Sequence, residues 1–134
     1  MRLRFPPYQD AALLLIRLGL ATVFIVHGWL KWQDLGGTAE FFSGLALPQF
    51  MVYVVATTEL VGGLLVLFGW LARFSSLGLA VVMVFAIVLV KWPIGFVGGY
   101  EFDLVLLLMA LAVAVGGPGR YRLKVINLEN QQLI

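Results

Sequence analysis

Four stretches of this chain run nearly free of polar side chains, and each is bounded by charged or turn-forming residues. They are AALLLIRLGLATVFIVHGWL (11–30), MVYVVATTELVGGLLVLFGW (51–70), SLGLAVVMVFAIVLVKW (76–92) and FDLVLLLMALAVAVGG (102–117). A helix needs roughly 20 such residues to cross the hydrocarbon of a bilayer, so the pattern predicts four transmembrane helices. The last two stretches are a little short, and their ends extend into the flanks. The separators agree. LARFSS predicts a tight turn over 71–75, and PIGFVGGYE combines Pro93 with three glycines that break a helix. The longer KWQDLGGTAEFFSGLALPQF has room for a short surface helix over Thr38–Phe42.

Cationic residues orient the bundle. With four spans, the N-terminus, the 71–75 turn and the C-terminal tail share one side. That side holds Arg2, Arg4, Arg73, Arg120, Arg122 and Lys124, against Lys31 and Lys91 on the other. The positive-inside rule then places both termini in the cytoplasm. Trp29, Trp32, Trp70 and Trp92 fall at span ends, as an aromatic belt does. The first span carries Arg17 in mid-run and lacks a small-residue cleavage pattern, so it is not read as a signal peptide. The predicted fold is all-α, an antiparallel four-helix integral membrane bundle over 1–118 with a short cytoplasmic tail over 119–134. Small residues at Ala110/Ala114, Ala112/Gly116 and Gly62/Gly63 are positions where helices approach closely.

Composition confirms the solvent. The chain of 134 residues is 62% hydrophobic and 12% charged, with mean hydropathy +1.01, whereas soluble domains carry about 25% charged residues. A net charge of +2 without a basic run argues against nucleic acid. The absence of cysteine excludes disulfides, thiolate metal sites and dithiol exchange by this chain itself.

Against this apolar background a few charges stand out. Arg17 lies on the cytoplasmic side of the centre of its span, and Glu59 slightly on the outer side of its own. Their backbones differ in depth by roughly 7 Å at 1.5 Å per residue, within reach of an arginine. An unpaired charge at that depth costs at least about 2.5–3.5 kcal/mol, so the expectation is an Arg17–Glu59 pair that locks the first two spans together. His27 and Lys31 are one turn apart on the outer half of the first span, with Gly28 between them. Glu101 and Asp103 open the fourth span at that level, and Lys91 closes the third.

Two readings of these charges stay open. In one, Lys31, Lys91, Glu101 and Asp103 are interfacial residues that snorkel or cap helices, and His27 is a hydrogen-bonded structural residue. In the other, His27, Lys31, Glu59 and Glu101, with Trp29 and Trp32 nearby, line a pocket open to the outer face. Imidazole and carboxylate exchange protons, and a quinone needs hydrogen-bond donors for its carbonyls, a proton acceptor and an aromatic wall. One histidine cannot ligate haem from both sides, no nucleotide fingerprint is present, and a metal would find only carboxylates beside His27.

RLGLATVFIVHGWLK, GGTAEFFSGLALP, ELVGGLLVLFGWLAR and GGYEFDLVLLLMALAVAVGGPGRYRL follow one another in an order and spacing that resemble the DoxX family of small four-helix bacterial and archaeal membrane proteins. The likeness runs from about Arg17 to Leu123. It maps family positions onto Arg17, onto His27, Gly28 and Lys31, onto Phe41, Phe42 and Pro48, onto Glu59, Gly62 and Gly63, and onto Glu101. Ala46 stands where the family has glycine before leucine–proline, and Arg122–Lys124 replace a serine–leucine–aspartate run. The resemblance implies association with quinol oxidases, thiosulfate:quinone oxidoreduction or sulfur-handling partners.

The expected protein is thus a multi-pass subunit of a bacterial or archaeal inner membrane, associated with a redox partner or with copies of itself. On the first reading it is a non-catalytic anchor or assembly subunit. On the second, Glu59 and His27 relay protons while Arg17, Lys31 and Glu101 with Trp29 and Trp32 position a quinone-like or small sulfur-containing molecule. No covalent cofactor and no metal are expected.

Overall fold

The computed structural model describes residues 7–124, together with the backbone of 126–127 and 132–133. Helix α1 (Pro7–Gln33) begins with proline, whose missing N–H costs nothing in a first turn, and carries Asp10 in its first turn and Lys31 in its last. These charges oppose the partial charges of the helix ends. A short helix α2 (Leu35–Gly44) follows at once. It is started by Asp34, whose side chain accepts from the N–H of Gly37 at 2.9 Å, a cap that satisfies a donor the helix cannot. Helix α2 ends ahead of Ala46, which takes a left-handed φ of 58°.

Helix α3 (Met51–Phe68) stops at Gly69, where φ is 78° and the N–H groups of Gly69 and Trp70 turn back onto Val66 and Leu65. The connection to α4 (Ala72–Phe85) is only Gly69–Leu71, so Arg73 sits in the first helical turn of α4 rather than in a 71–75 turn. Beyond Phe85 the same span widens to a π-helical stretch, Ala86–Lys91, and closes in a tight turn at Trp92–Ile94. Pro93 explains the ending, since its ring crowds the carbonyl four residues back and it has no N–H to give. After an irregular loop through Gly98 (φ 71°), α5 (Glu101–Gly116) returns and ends at Gly117 (φ 77°). Four stretches, Tyr8–Gln33, Met51–Phe68, Ala72–Ile94 and Phe96–Gly116, are long and apolar enough to cross a membrane. The expected spans are all present, with the first, third and fourth longer than their apolar runs. Ile126–Asn127 and Gln132–Leu133 pair as a two-residue antiparallel ladder.

The four long helices form a ring in which α1 packs on α3 and α5, and α4 packs on α3 and α5. Leu20, Ala21 and Phe24 of α1, Val66 of α3, Leu79, Ala80 and Met83 of α4, and Leu106, Ala110 and Val113 of α5 fill the centre. Leu15, Val26, Leu30, Val81, Val88 and Leu108 face outward, the arrangement expected where the surrounding solvent is itself hydrocarbon. The end of the bundle formed by the start of α1 and the end of α5 is called proximal below. The end with α2 is called distal.

Candidate functional site

Two glycines bring α1 and α3 together. A side chain at Gly28 would place its Cβ 2.5 Å from the backbone nitrogen of Leu60, and one at Gly63 would stand 3.1 Å from the nitrogen of Ile25. Both contacts involve main chain, so the helices could not hold this separation with larger residues. Lys31 lies three residues beyond Gly28, and Glu59 one residue before Leu60. The close crossing therefore delivers the ammonium of one helix to the carboxylate of the other.

They meet at 2.7 Å, Lys31 Nζ donating to Glu59 Oε2. Glu59 is only 3% exposed in the middle of an apolar span, while the Lys31 side chain keeps 24% of its surface open. The pair thus runs from the edge of the bundle into its interior. Among the described residues Glu59 Oε1 carries no hydrogen bond. His27, one turn from Lys31, stands on the exposed face with Nδ1 2.8 Å from its own helix carbonyl at Val23. That contact occupies Nδ1 and leaves Nε2 without a hydrogen-bond partner among the described residues.

The partner expected for Glu59 is elsewhere. Arg17 is 1% exposed, yet it faces backbone carbonyls instead of a carboxylate. Nε donates to Val66 at 2.8 Å, Nη2 to Leu67 at 2.7 Å, and Nη1 to Pro118 at 2.7 Å and to Tyr121. The reason is the helix end at Gly69, where the Leu67 carbonyl has no backbone donor, Val66 has only the Gly69 N–H at 3.2 Å, and both carry partial negative charge. Glu59 lies seven residues from Val66, roughly 10 Å along the axis, and the lysine at its own level takes it. Arg73, which the pattern did not single out, does the same for α5, with Nη1 donating to Ala114 at 3.0 Å and Val115 at 2.6 Å.

The other candidates separate. Glu101 accepts the N–H of Gly98 at 3.0 Å and so braces its own loop. Trp29 is 56% exposed and points away from the bundle. Trp32 packs on Tyr53 of α3 with ring centroids 5.9 Å apart, an aromatic neighbour that had not been anticipated. Beside that pair, Leu35, Gly36, Ala39, Gln49, Val52 and Tyr53 line a cleft of about 190 Å³ between α2 and α3. The structure joins Lys31 to Glu59 with His27 one turn away on α1, sets Trp32 against Tyr53, and leaves Arg17 at the opposite end. Among the described residues no three His, Asp or Glu side chains converge as a metal site would require.

A profile of the DoxX family matches residues 12–92. A Bacillus subtilis protein named "Putative oxidoreductase CatD" is 42% identical over 104 residues, covering 78% of both chains. The inner membrane protein YqjF of Escherichia coli is 35% identical over 69 residues, covering 52% of this chain and 53% of its own. An uncharacterized membrane protein of Mycobacterium tuberculosis is 35% identical over 124 residues, covering 81% and 76%. No solved structure matches the chain.

Proposed function

The chain belongs to the DoxX family of membrane proteins, and on that premise we propose that it is a subunit of a redox system. In this reading His27, Lys31 and Glu59 serve a quinone-like or small sulfur-containing molecule. The observation that carries the proposal is the Lys31–Glu59 pair itself. A buried ionisable pair within an apolar span is costly to keep, and this one leads from an exposed imidazole to an enclosed carboxylate. The name of the Bacillus subtilis relative supports a redox association.

The residues present suit such a ligand. Lys31 has three N–H donors and uses one on Glu59. His27 offers Nε2 to the lipid-facing side, and Trp32 with Tyr53 supplies an aromatic flank. The adjoining cleft is smaller than the about 300–1,000 Å³ of drug-sized pockets, so it suits a single ring or a small anion, with any isoprenoid tail left among lipid chains. A quinone bound there would exchange electrons and protons together, the electrons passing to or from a partner redox protein. Protons would move between Glu59 and the outer surface through Lys31 and His27. The proposal also places both termini in the cytoplasm, because Arg73, Arg120, Arg122 and Lys124 gather at the proximal end. Single cysteines introduced into this cysteine-free chain at Ser43 and at Lys124 test that directly by labelling from either side.

Binding of a short-chain quinone to the full protein in nanodiscs tests the ligand reading. Glu59→Gln and His27→Gln are expected to insert and fold while losing binding. If both variants bind as the wild type does, the cluster is not the site. The alternative is an anchor subunit whose charges only hold helices together, favoured by the use of Arg17 on carbonyls. It predicts that leucine at both 31 and 59 leaves assembly with larger redox proteins intact.

A further inference from the structure

At Gly69 two arginines occupy the space that a side chain would take. A Cβ there would stand 2.6 Å from Arg122 Cβ and 2.9 Å from Arg17 Nη2. The two residues border an open groove of about 450 Å³, whose remaining walls are Leu67, Phe68, Tyr121 and Leu123. The segment bearing Arg122 is tied down on both sides. Leu123 N–H donates to Phe68 at 3.0 Å, Trp70 Nε1 donates to Leu123 at 2.8 Å, and Arg17 holds Pro118 and Tyr121. The groove is therefore built by the fold.

Among the described residues nothing balances its charge. Arg17 spends four of its five N–H groups on carbonyls, leaving one on Nη2 beside Gly69. Among the described residues the exposed guanidinium of Arg122 has no hydrogen-bond or ion-pair partner. Asp10, the one acid at the proximal end among the described residues, accepts the backbone N–H of Arg120 at 2.9 Å. Glu59, Asp34 and Glu101 are engaged toward the distal half. The level is also informative: α3 ends its apolar run at Phe68, and Trp70 follows where aromatic side chains mark the headgroup layer.

A cationic rim at headgroup depth over an apolar wall fits an amphiphile with a negative head. We propose that this groove binds an anionic phospholipid, its phosphate paired with Arg122 and the free Nη2–H of Arg17, and its first methylenes laid on Leu67, Phe68 and Leu123. A soluble anion would use the rim alone.

Full-length protein in a neutral detergent, titrated with phosphatidylglycerol or phosphatidylcholine and read by native mass spectrometry as the lipid-bound fraction, tests this. Phosphatidylglycerol is expected to be retained over phosphatidylcholine. Arg122→Gln should weaken that retention about five- to tenfold, while Arg122→Lys keeps most of it. Arg120→Gln removes the same charge outside the groove and should leave retention near wild type. Equal losses in the two glutamine variants, or no preference for the anionic lipid, would overturn the proposal. So would displacement by glycerophosphoglycerol, which lacks acyl chains, at concentrations matching the lipid.

Discussion

Lys31 and Glu59 are joined at 2.7 Å beside the close α1–α3 approach at Gly28. Because Glu59 is buried and Lys31 only partly exposed, removing one partner strands the other in an apolar setting. Lys31→Met and Glu59→Leu are each expected to destabilise the folded bundle by about 3 kcal/mol. The double variant should recover most of that loss. Unfolding in mixed detergent micelles, run as a double-mutant cycle, reads the coupling between the two sites. Additive losses would mean that the contact contributes nothing to the fold.

Arg17 should behave independently of Glu59. The two sites are roughly 10 Å apart along α3 and share no partner, so their effects should add within about 0.5 kcal/mol. Arg17→Met leaves the Leu67, Pro118 and Tyr121 carbonyls without a donor and Val66 with only the Gly69 N–H, at a cost of about 3 kcal/mol or more. Arg17→Lys cannot reproduce a planar fork reaching two helix ends and should recover only part. The same unfolding measurement checks both variants.

Glycine substitutions separate close packing from mere flexibility. Gly28→Ala forces a methyl onto the backbone of Leu60 and should cost about 1–3 kcal/mol. It should also weaken the neighbouring ion pair, which requires that separation. Gly36→Ala, inside α2 with nothing within 4 Å of its new Cβ, should be neutral or stabilise by up to about 1 kcal/mol. Thermal aggregation midpoints of the two proteins in detergent distinguish these directions.

Ala46 holds φ at 58° after α2, a conformation that costs a residue with a Cβ about 1–2 kcal/mol. Ala46→Gly is expected to stabilise by somewhat less, about 0.5–1 kcal/mol, because glycine also gains freedom in the unfolded chain. A lowered midpoint in the same melt would contradict this.

The spans were readable because lipid demands long apolar runs, and the four runs coincide with the four long helices. Charges inside them were also readable as charges that need partners. Which partner each takes was not, because that depends on where helices stop. A Glu59–Arg17 pair requires the first two spans to match over 11–30 and 51–70. In the fold α1 runs on to Gln33, and the register set by Gly28 and Gly63 moves Lys31 alongside Glu59. Arg17 then meets the carbonyls exposed by Gly69, acceptors that no side-chain pattern displays. Tyr53 escaped notice because an aromatic near a span end is ordinary, and its value comes from Trp32 on another helix.

The acceptors of Arg17 at Pro118 and Tyr121 are separated from it by 101 and 104 residues. During synthesis the first span enters the bilayer long before those carbonyls exist. The two N–H groups of its Nη1 must therefore wait, solvated by headgroups or water, until the turn after α5 has emerged, while Val66 and Leu67 are available earlier. Completion of the proximal end is a late event in the birth of this protein, and a chain ending before Pro118 would leave it open.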